Sequence, residues 1–224
     1  MIRFSDAERQ KVSAAISAAE AKTDGEIVAV ATPISDSYHD VALHWAVAMM
    51  ILALAWAAWW PAELQWWYRQ IFGGWSPDPT LGEFLTFVMV LAVLKFLAVL
   101  LILKWMPLRL LLTPAATKHR RVRRRAVAIF QAAAAGKTAD RTGTLIYLSL
   151  AERRAEIIGD EAITKVTSPD TWGKAMAAML EHLREGRPGD GICAAVERVG
   201  AVLAEHFPKT ANNPNEIPDK LILL

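Results

Sequence analysis

Two long apolar runs limit what this chain can become. Residues 41–60, VALHWAVAMMILALAWAAWW, contain no Asp, Glu, Lys or Arg, and residues 84–106, FLTFVMVLAVLKFLAVLLILKWM, contain only Lys95 and Lys104. Each matches the ~20 residues a helix needs to cross the hydrocarbon core of a bilayer. Between them stand Pro61, Gly73, Gly74, Pro77 and Pro79, which argue against a continuous helix there. Trp59, Trp60, Trp66, Trp67, Tyr68 and Trp75 cluster at the expected interface, where amphipathic rings prefer to sit. Core helices of soluble proteins are generally shorter and carry no such belt. The runs therefore predict a membrane hairpin over residues 41–112, with spans at about 41–60 and 84–106.

Orientation follows from Lys and Arg in the short flanks. The loop between the spans carries Arg69 alone, whereas Lys104, Arg109 and a dense basic run follow the second span. Both termini are expected in the cytoplasm, and the protein in a bacterial inner membrane. The start, MIRFSDAERQ, has no apolar signal-peptide core, and the single Cys193 implies no oxidising compartment. The basic run puts Lys118, Arg120, Arg121, Arg123, Arg124 and Arg125 within eight positions, yet the whole chain has a formal net charge of only +2. That argues against nucleic acid as a partner. It favours contact with anionic lipid headgroups, worth ~1 kcal/mol per basic residue at the surface. A membrane protein is a further expected partner. Lys95 stands near the middle of the second span, where a charge costs ~2.5–3.5 kcal/mol on insertion scales. It reads either as a polar contact within a bundle, with His44 or a neighbouring subunit, or as a snorkelling side chain, and snorkelling is the simpler reading.

The two ends are polar and patterned. Ser5 with Glu8 is a capping box, and Ala7, Val12, Ala15, Ile16 and Ala19 form a helical stripe with Gly25 as the expected stop. EIVAVAT, residues 26–32, reads as a buried strand ended by Pro33. One helix and one strand cannot bury a core alone. The other end supplies partners: a basic helix after residue 117 with Val122, Ala126, Ile129 and Phe130 on one face, then strands at about 144–149 and 153–158 around a tight LAER turn. A helix starting at Ser168 and Pro169 carries Trp172, Ala175, Met176, Met179 and Leu183, and a last helix capped by Asp190 carries Ile192, Val196, Val199 and Leu203. The proline- and asparagine-rich tail ends in LILL, suited to a terminal strand. The predicted class is α/β: an α/β/α sandwich with a small central sheet, built from residues 1–40 and 113–209, interrupted by the two-helix transmembrane hairpin, with an extended tail at 210–224.

No glycine-rich phosphate loop is present, Cys193 and Arg198 are one residue too close for Cys-x5-Arg, and the five histidines show no paired metal spacing. The carboxylates are better candidates. Asp24 and Glu26 flank the first strand, Asp140 precedes the second, Asp160 and Glu161 follow the third, and Asp190 starts the last helix. A hard cation, Ca or Mg, takes several oxygens at once, and loops at one sheet end can gather them. Each of these residues also suits a turn or a cap, and strand direction decides whether the loops meet.

GEIVAVATPISDSYHDVALHWA, RTGTLIYLSLAERRAEIIGDEAI and GDGICAAVERVGAVLAEHFP resemble the TPM-domain family, in particular a bacterial membrane-embedded branch of it. The resemblance covers residues 3–43 and 118–209, and its most specific part is the strand, short turn and second strand of TGTLIYLSLAERRAEII. It implies an α/β/α sandwich. Some relatives have been proposed as acid phosphatases and others as calcium-binding modules. Many carry the domain outside the cytoplasm behind a signal peptide, a pattern from which this chain departs. The function expected is a membrane-anchored binding or scaffolding module without catalysis; the alternative is a metal-dependent phosphatase using the acidic loops.

Overall fold

The structure is a computed structural model describing residues 4–73, 79–135, 138, 141–167, 169–211 and 215–224. The chain divides into two compact units, residues 38–114 and the pair of segments 1–37 and 115–224.

In the α/β unit, helix α1 (Asp6–Glu20) begins at Ser5, whose hydroxyl accepts from the Glu8 N–H while the Glu8 carboxylate returns to the Ser5 N–H at 2.8 Å. This reciprocal cap satisfies two of the donors a helix start leaves open. The helix ends at Glu20, five residues before Gly25, so Gly25 is not its stop. Gly25 serves instead to admit Leu203, whose Cδ1 lies 3.0 Å from where a Cβ would stand. Strand β1 (Glu26–Thr32) and strand β2 (Gly143–Ser149) are buried at every position and pair in parallel, Val28 opposite Leu145. Strand β3 (Arg154–Gly159) returns antiparallel to β2, and β4 (Leu221–Leu223) adds parallel to β1, giving the order β3-β2-β1-β4. The LILL tail thus closes one edge.

Side-chain alternation sorts two cores. Ile27, Ala29, Ile146, Leu148 and Ile157 face one side, packed against α1, α8 (Pro169–Arg184) and α9 (Pro188–His206). Val28, Val30, Leu145 and Tyr147 face the other, against Val122, Ala126 and Phe130 of α6 (Ala115–Ala133). Apolar runs buried on both faces are what a strand covered by helices on both sides requires. The α/β/α sandwich is therefore the fold of this unit. Two further points differ from expectation. Asp190 does not cap α9, which starts two residues earlier with Pro188 in its first turn; the fixed φ of proline is already helical there. A short helix α7 (Glu161–Val166) follows β3, with Asp160 as its cap. Ser168, expected to cap α8, lies outside the described residues, as does Trp75.

The other unit holds helices α2 (His39–Trp59) and α4 (Leu81–Ile102), both long and apolar enough to cross a membrane. Thr80 and Glu83 form a second capping box at the start of α4. The helix stops at Ile102, four residues before the expected end, and the chain turns into α5 (Met106–Leu111), where Pro107 takes a first-turn position. Arg109 fastens this turn by donating from Nε to the Leu103 carbonyl at 2.7 Å. The connection between α2 and α4 is itself helical: α3 (Pro61–Phe72) starts with Pro61 and is capped by Gly73, whose φ of +99° suits glycine. Pro61 starts this helix rather than preventing it. Tyr68 and Phe72 of α3 pack on Phe87 of α4, with ring centroids 5.4 and 6.0 Å apart.

Candidate functional site

Strand directions bring most of the nominated carboxylates to one end of the sheet. β1 and β2 both start there, Glu26 opposite Gly143, and β3 ends there, Gly159 opposite Thr144. Asp24, Glu26, Asp160 and Glu161 follow these strand ends; Asp140 lies outside the described residues. Asp190 does not join them. α9 runs parallel to α1, with Gly189 beside Glu8 and Gly200 beside Ala19, and delivers Phe207 to Asp24. Asp190 is thus a helix length away, ~24 Å at 1.5 Å per residue.

Each carboxylate at the shared end has a structural task. Asp24 Oδ1 accepts from the Thr210 N–H at 2.9 Å. Glu26, buried, accepts from the Ile217 N–H at 3.3 Å, and burial raises its pKa. Asp160 accepts from the Glu161 N–H at 2.8 Å as the cap of α7. Glu161 is exposed and pairs with Arg141 at 2.8 Å and Lys165 at 2.9 Å, contacts that hold its pKa below the usual value. Among the described residues no group of three or more His, Cys, Asp or Glu is placed to hold a metal ion. Asp190 pairs with Lys11 at 2.5 Å and Arg187 at 2.8 Å, which lowers its pKa.

Two further carboxylates were not legible in the sequence. Glu20 ends α1 and is buried; one oxygen accepts from the Ile27 N–H at 2.7 Å, and the carboxyl group also neighbours Asp219. Burial, with Glu26 and Asp219 adding like charge, pushes Glu20 up to about 9, so it carries a proton at neutral pH. Asp219 accepts from the Ser17 hydroxyl at 2.5 Å. Glu20, Glu26 and Asp219 therefore join α1, β1 and the tail, latching the edge strand in place.

The basic run of α6 is partly spent inside the domain. Arg121 and Arg124 meet Asp36 at 3.2 and 3.4 Å, and His119 and Arg123 meet Glu156, each at 3.4 Å. Lys118 and Arg121 are half-buried, whereas Arg120 and Arg125 are exposed and form no ion pair with a described residue.

Glu156 lines a cleft in this unit. It lies opposite Tyr147 on β3, and the pairing register turns its side chain to the α6 face, where His119 and Arg123 stand one turn apart. The cleft holds about 280 Å³ beside the edge strand and is lined by Thr164 of α7, by Thr167 just after it, and by Trp172 and Met176 of α8. Burial raises the Glu156 pKa, and His119 and Arg123 pull it back down. A carboxyl–imidazole pair can move a proton. The two hydroxyls in the wall already donate to helix carbonyls, Thr164 to Glu161 and Thr167 to Ile163, so neither is activated as a nucleophile by a base. Cys193 is elsewhere, buried, its thiol pKa raised by burial, which disfavours the reactive thiolate. The arrangement suits recognition: a buried carboxyl group, the Arg123 guanidinium at its rim, and Trp172 and Met176 as an apolar wall.

Residues 107–202 match the family model of the TPM domain. The solution structure of the BA42 protein from the psychrophilic bacterium Bizionia argentinensis shares the fold, with a TM-score of 0.54 at 17% identity, covering 99% of this chain and 95% of that one. No curated protein matches the chain. The matched segment contains α6, β2, β3 and the whole cleft around Glu156: the chain carries a TPM domain.

Proposed function

We propose that this chain is an integral protein of a bacterial inner membrane, with α2 and α4 as its spans, presenting the TPM domain to the cytoplasm as a binding or scaffolding module without catalysis. The observation that carries this is the surface of the two helices. Only 6% of the most apolar 18-residue window of α4, and 22% of that of α2, is buried inside the protein. A core helix of a soluble protein would be covered by its own chain; here Leu85, Met89, Leu94, Leu97 and Leu101 stand exposed all round α4. An apolar surface of this extent needs lipid.

The surroundings agree. α3, with exposed Trp66 and Trp67 and the loop's single basic residue Arg69, has the make-up of an interfacial helix on the far side. Lys104, Arg109 and α6 follow the second span on the cytoplasmic side. Arg120 and Arg125, not spent on internal pairs, are the residues left for anionic headgroups. The cleft around Glu156 is the contact surface of the module. The employment of Asp24, Glu26, Asp160 and Glu161 as caps and latches favours binding over metal-assisted hydrolysis.

The test is flotation of the purified full chain with phosphatidylcholine vesicles, followed by assay of the floated protein against a generic phosphate ester with Ca or Mg. Co-flotation resistant to high salt, without hydrolysis, is expected. Protein left at the bottom of the gradient removes the membrane reading, and metal-dependent turnover lost in Asp160→Ala/Glu161→Ala replaces the binding module with a phosphatase.

A further inference from the structure

One lysine faces a cavity in the apolar unit. α2, α3 and α4 enclose about 550 Å³, lined by Met49 and Trp56, Leu64 and Trp67, and Phe87 and Lys95 among others. Among the described residues, Lys95 is the only titratable one in that wall. It forms no hydrogen bond, ion pair or cation–π contact with a described residue. Among the described residues of this unit the acidic ones are Asp40, Glu63 and Glu83, each in the first turn of its helix, so none stands at the depth of Lys95. A second copy would bring the same two spans and the same lack.

We propose that this cavity is a docking groove for a transmembrane helix of a different protein, one carrying an Asp or Glu at mid-membrane depth, with Lys95 as the counter-ion. This rests on α2 and α4 spanning the bilayer. Charge complementarity selects the occupant. An ionised group in hydrocarbon is costly alone, and pairing with the opposite charge removes most of that cost. A lipid headgroup answers less well. Lys95 is seven residues inside the Ile102 end of α4, ~10 Å along the axis, and the cavity extends from it past Phe87 toward α3, away from that end. An anionic headgroup would have to sink into the acyl region to fill it. A helix carries its carboxylate to whatever depth its sequence sets, while its apolar side chains fill the space between Trp56 and Trp67.

The probe is a synthetic polyleucine helix about 20 residues long, labelled with dansyl, with Glu at its centre or Gln in its place. The full chain is placed in phosphatidylcholine vesicles, and energy transfer from its tryptophans, eight of which lie between Trp45 and Trp105, reads association. The Glu helix is expected to associate roughly tenfold more tightly than the Gln helix. Lys95→Met abolishes that preference. So does Ala53→Trp, which keeps the lysine and fills the cavity that Ala53 lines. Equal binding of the two helices overturns the proposal, as does a preference that survives either substitution. Loss of the preference on adding phosphatidylglycerol assigns the lysine to lipid and also overturns it. Flotation of the vesicles with each variant separates these outcomes from failure to insert, which would sink the membrane reading itself.

Discussion

β2 and α4 are both apolar segments of this protein, and their apolar side chains meet opposite surroundings. All seven residues of β2 are buried, Leu145 and Tyr147 under α6 and Ile146 and Leu148 under the α1, α8 and α9 layer. In α4 only Ala92 is buried, and leucines and valines stand exposed around the helix. The strand satisfies its hydrophobicity with protein, whereas the surface of the helix is left uncovered by its own chain. Apolarity by itself does not say which; length, periodicity and what the rest of the chain can supply do.

That contrast can be broken by substitution. A charge in the strand is the most severe test: Leu148→Asp buries an unpaired carboxylate and should cost ~4 kcal/mol or more, unfolding the α/β unit in a thermal melt followed by circular dichroism. The same change at Leu94, exposed on α4, should leave that melt unmoved and reduce only membrane insertion. Removing volume separates the regions more gently. Met179→Ala, fully buried beneath the sheet, should cost ~2–5 kcal/mol, whereas Leu94→Ala should cost the α/β unit nothing measurable.

A third contrast is pH. Glu20 holds its proton up to about 9 when folded, against an ordinary value of 4.5. Its contribution is whole below 4.5 and is lost as pH rises toward 9, because the unfolded chain ionises first. Glu26 and Glu156 shift in the same direction, burial leading in both. The α/β unit should therefore melt at lower temperature at pH 8 than at pH 5.5, with a limiting slope of ~1.4 kcal/mol per pH unit for one group. Glu20→Gln should flatten that slope; an unchanged slope would remove Glu20 from the account. The smallest effects compare the two capping boxes. Ser5→Ala should cost the α/β unit ~1 kcal/mol, and Thr80→Ala should cost that unit nothing, since its cap belongs to the hairpin.

What the sequence made legible follows the range of the interactions. Ser5 and Glu8 are three residues apart, and their box could be read directly; β1 at residues 26–32 likewise followed from its own composition and Pro33. Pro61 and Gly73 do interrupt the helix between α2 and α4, and the short helix α3 stands between those two breaks. Asp190 looked like a cap because Pro188, two residues earlier, is an equally good helix start. The gathering of Asp24, Glu26 and Asp160 needed strand direction, which β1 does not encode alone. The cleft around Glu156 was out of reach: it needs the β2–β3 register and the seat of α6 together, and its one sequence signal is an acidic residue inside the apolar strand RAEIIG.

The central claim is that the chain crosses a membrane twice and returns. It is tested most directly by cysteine accessibility in intact cells, using the full chain with Cys193→Ala as background. Gln70→Cys, exposed on α3, should react with a membrane-impermeant maleimide from outside, and Ala211→Cys, in the tail, only after the cells are opened. Both positions reacting alike, from outside or only after opening, would contradict it.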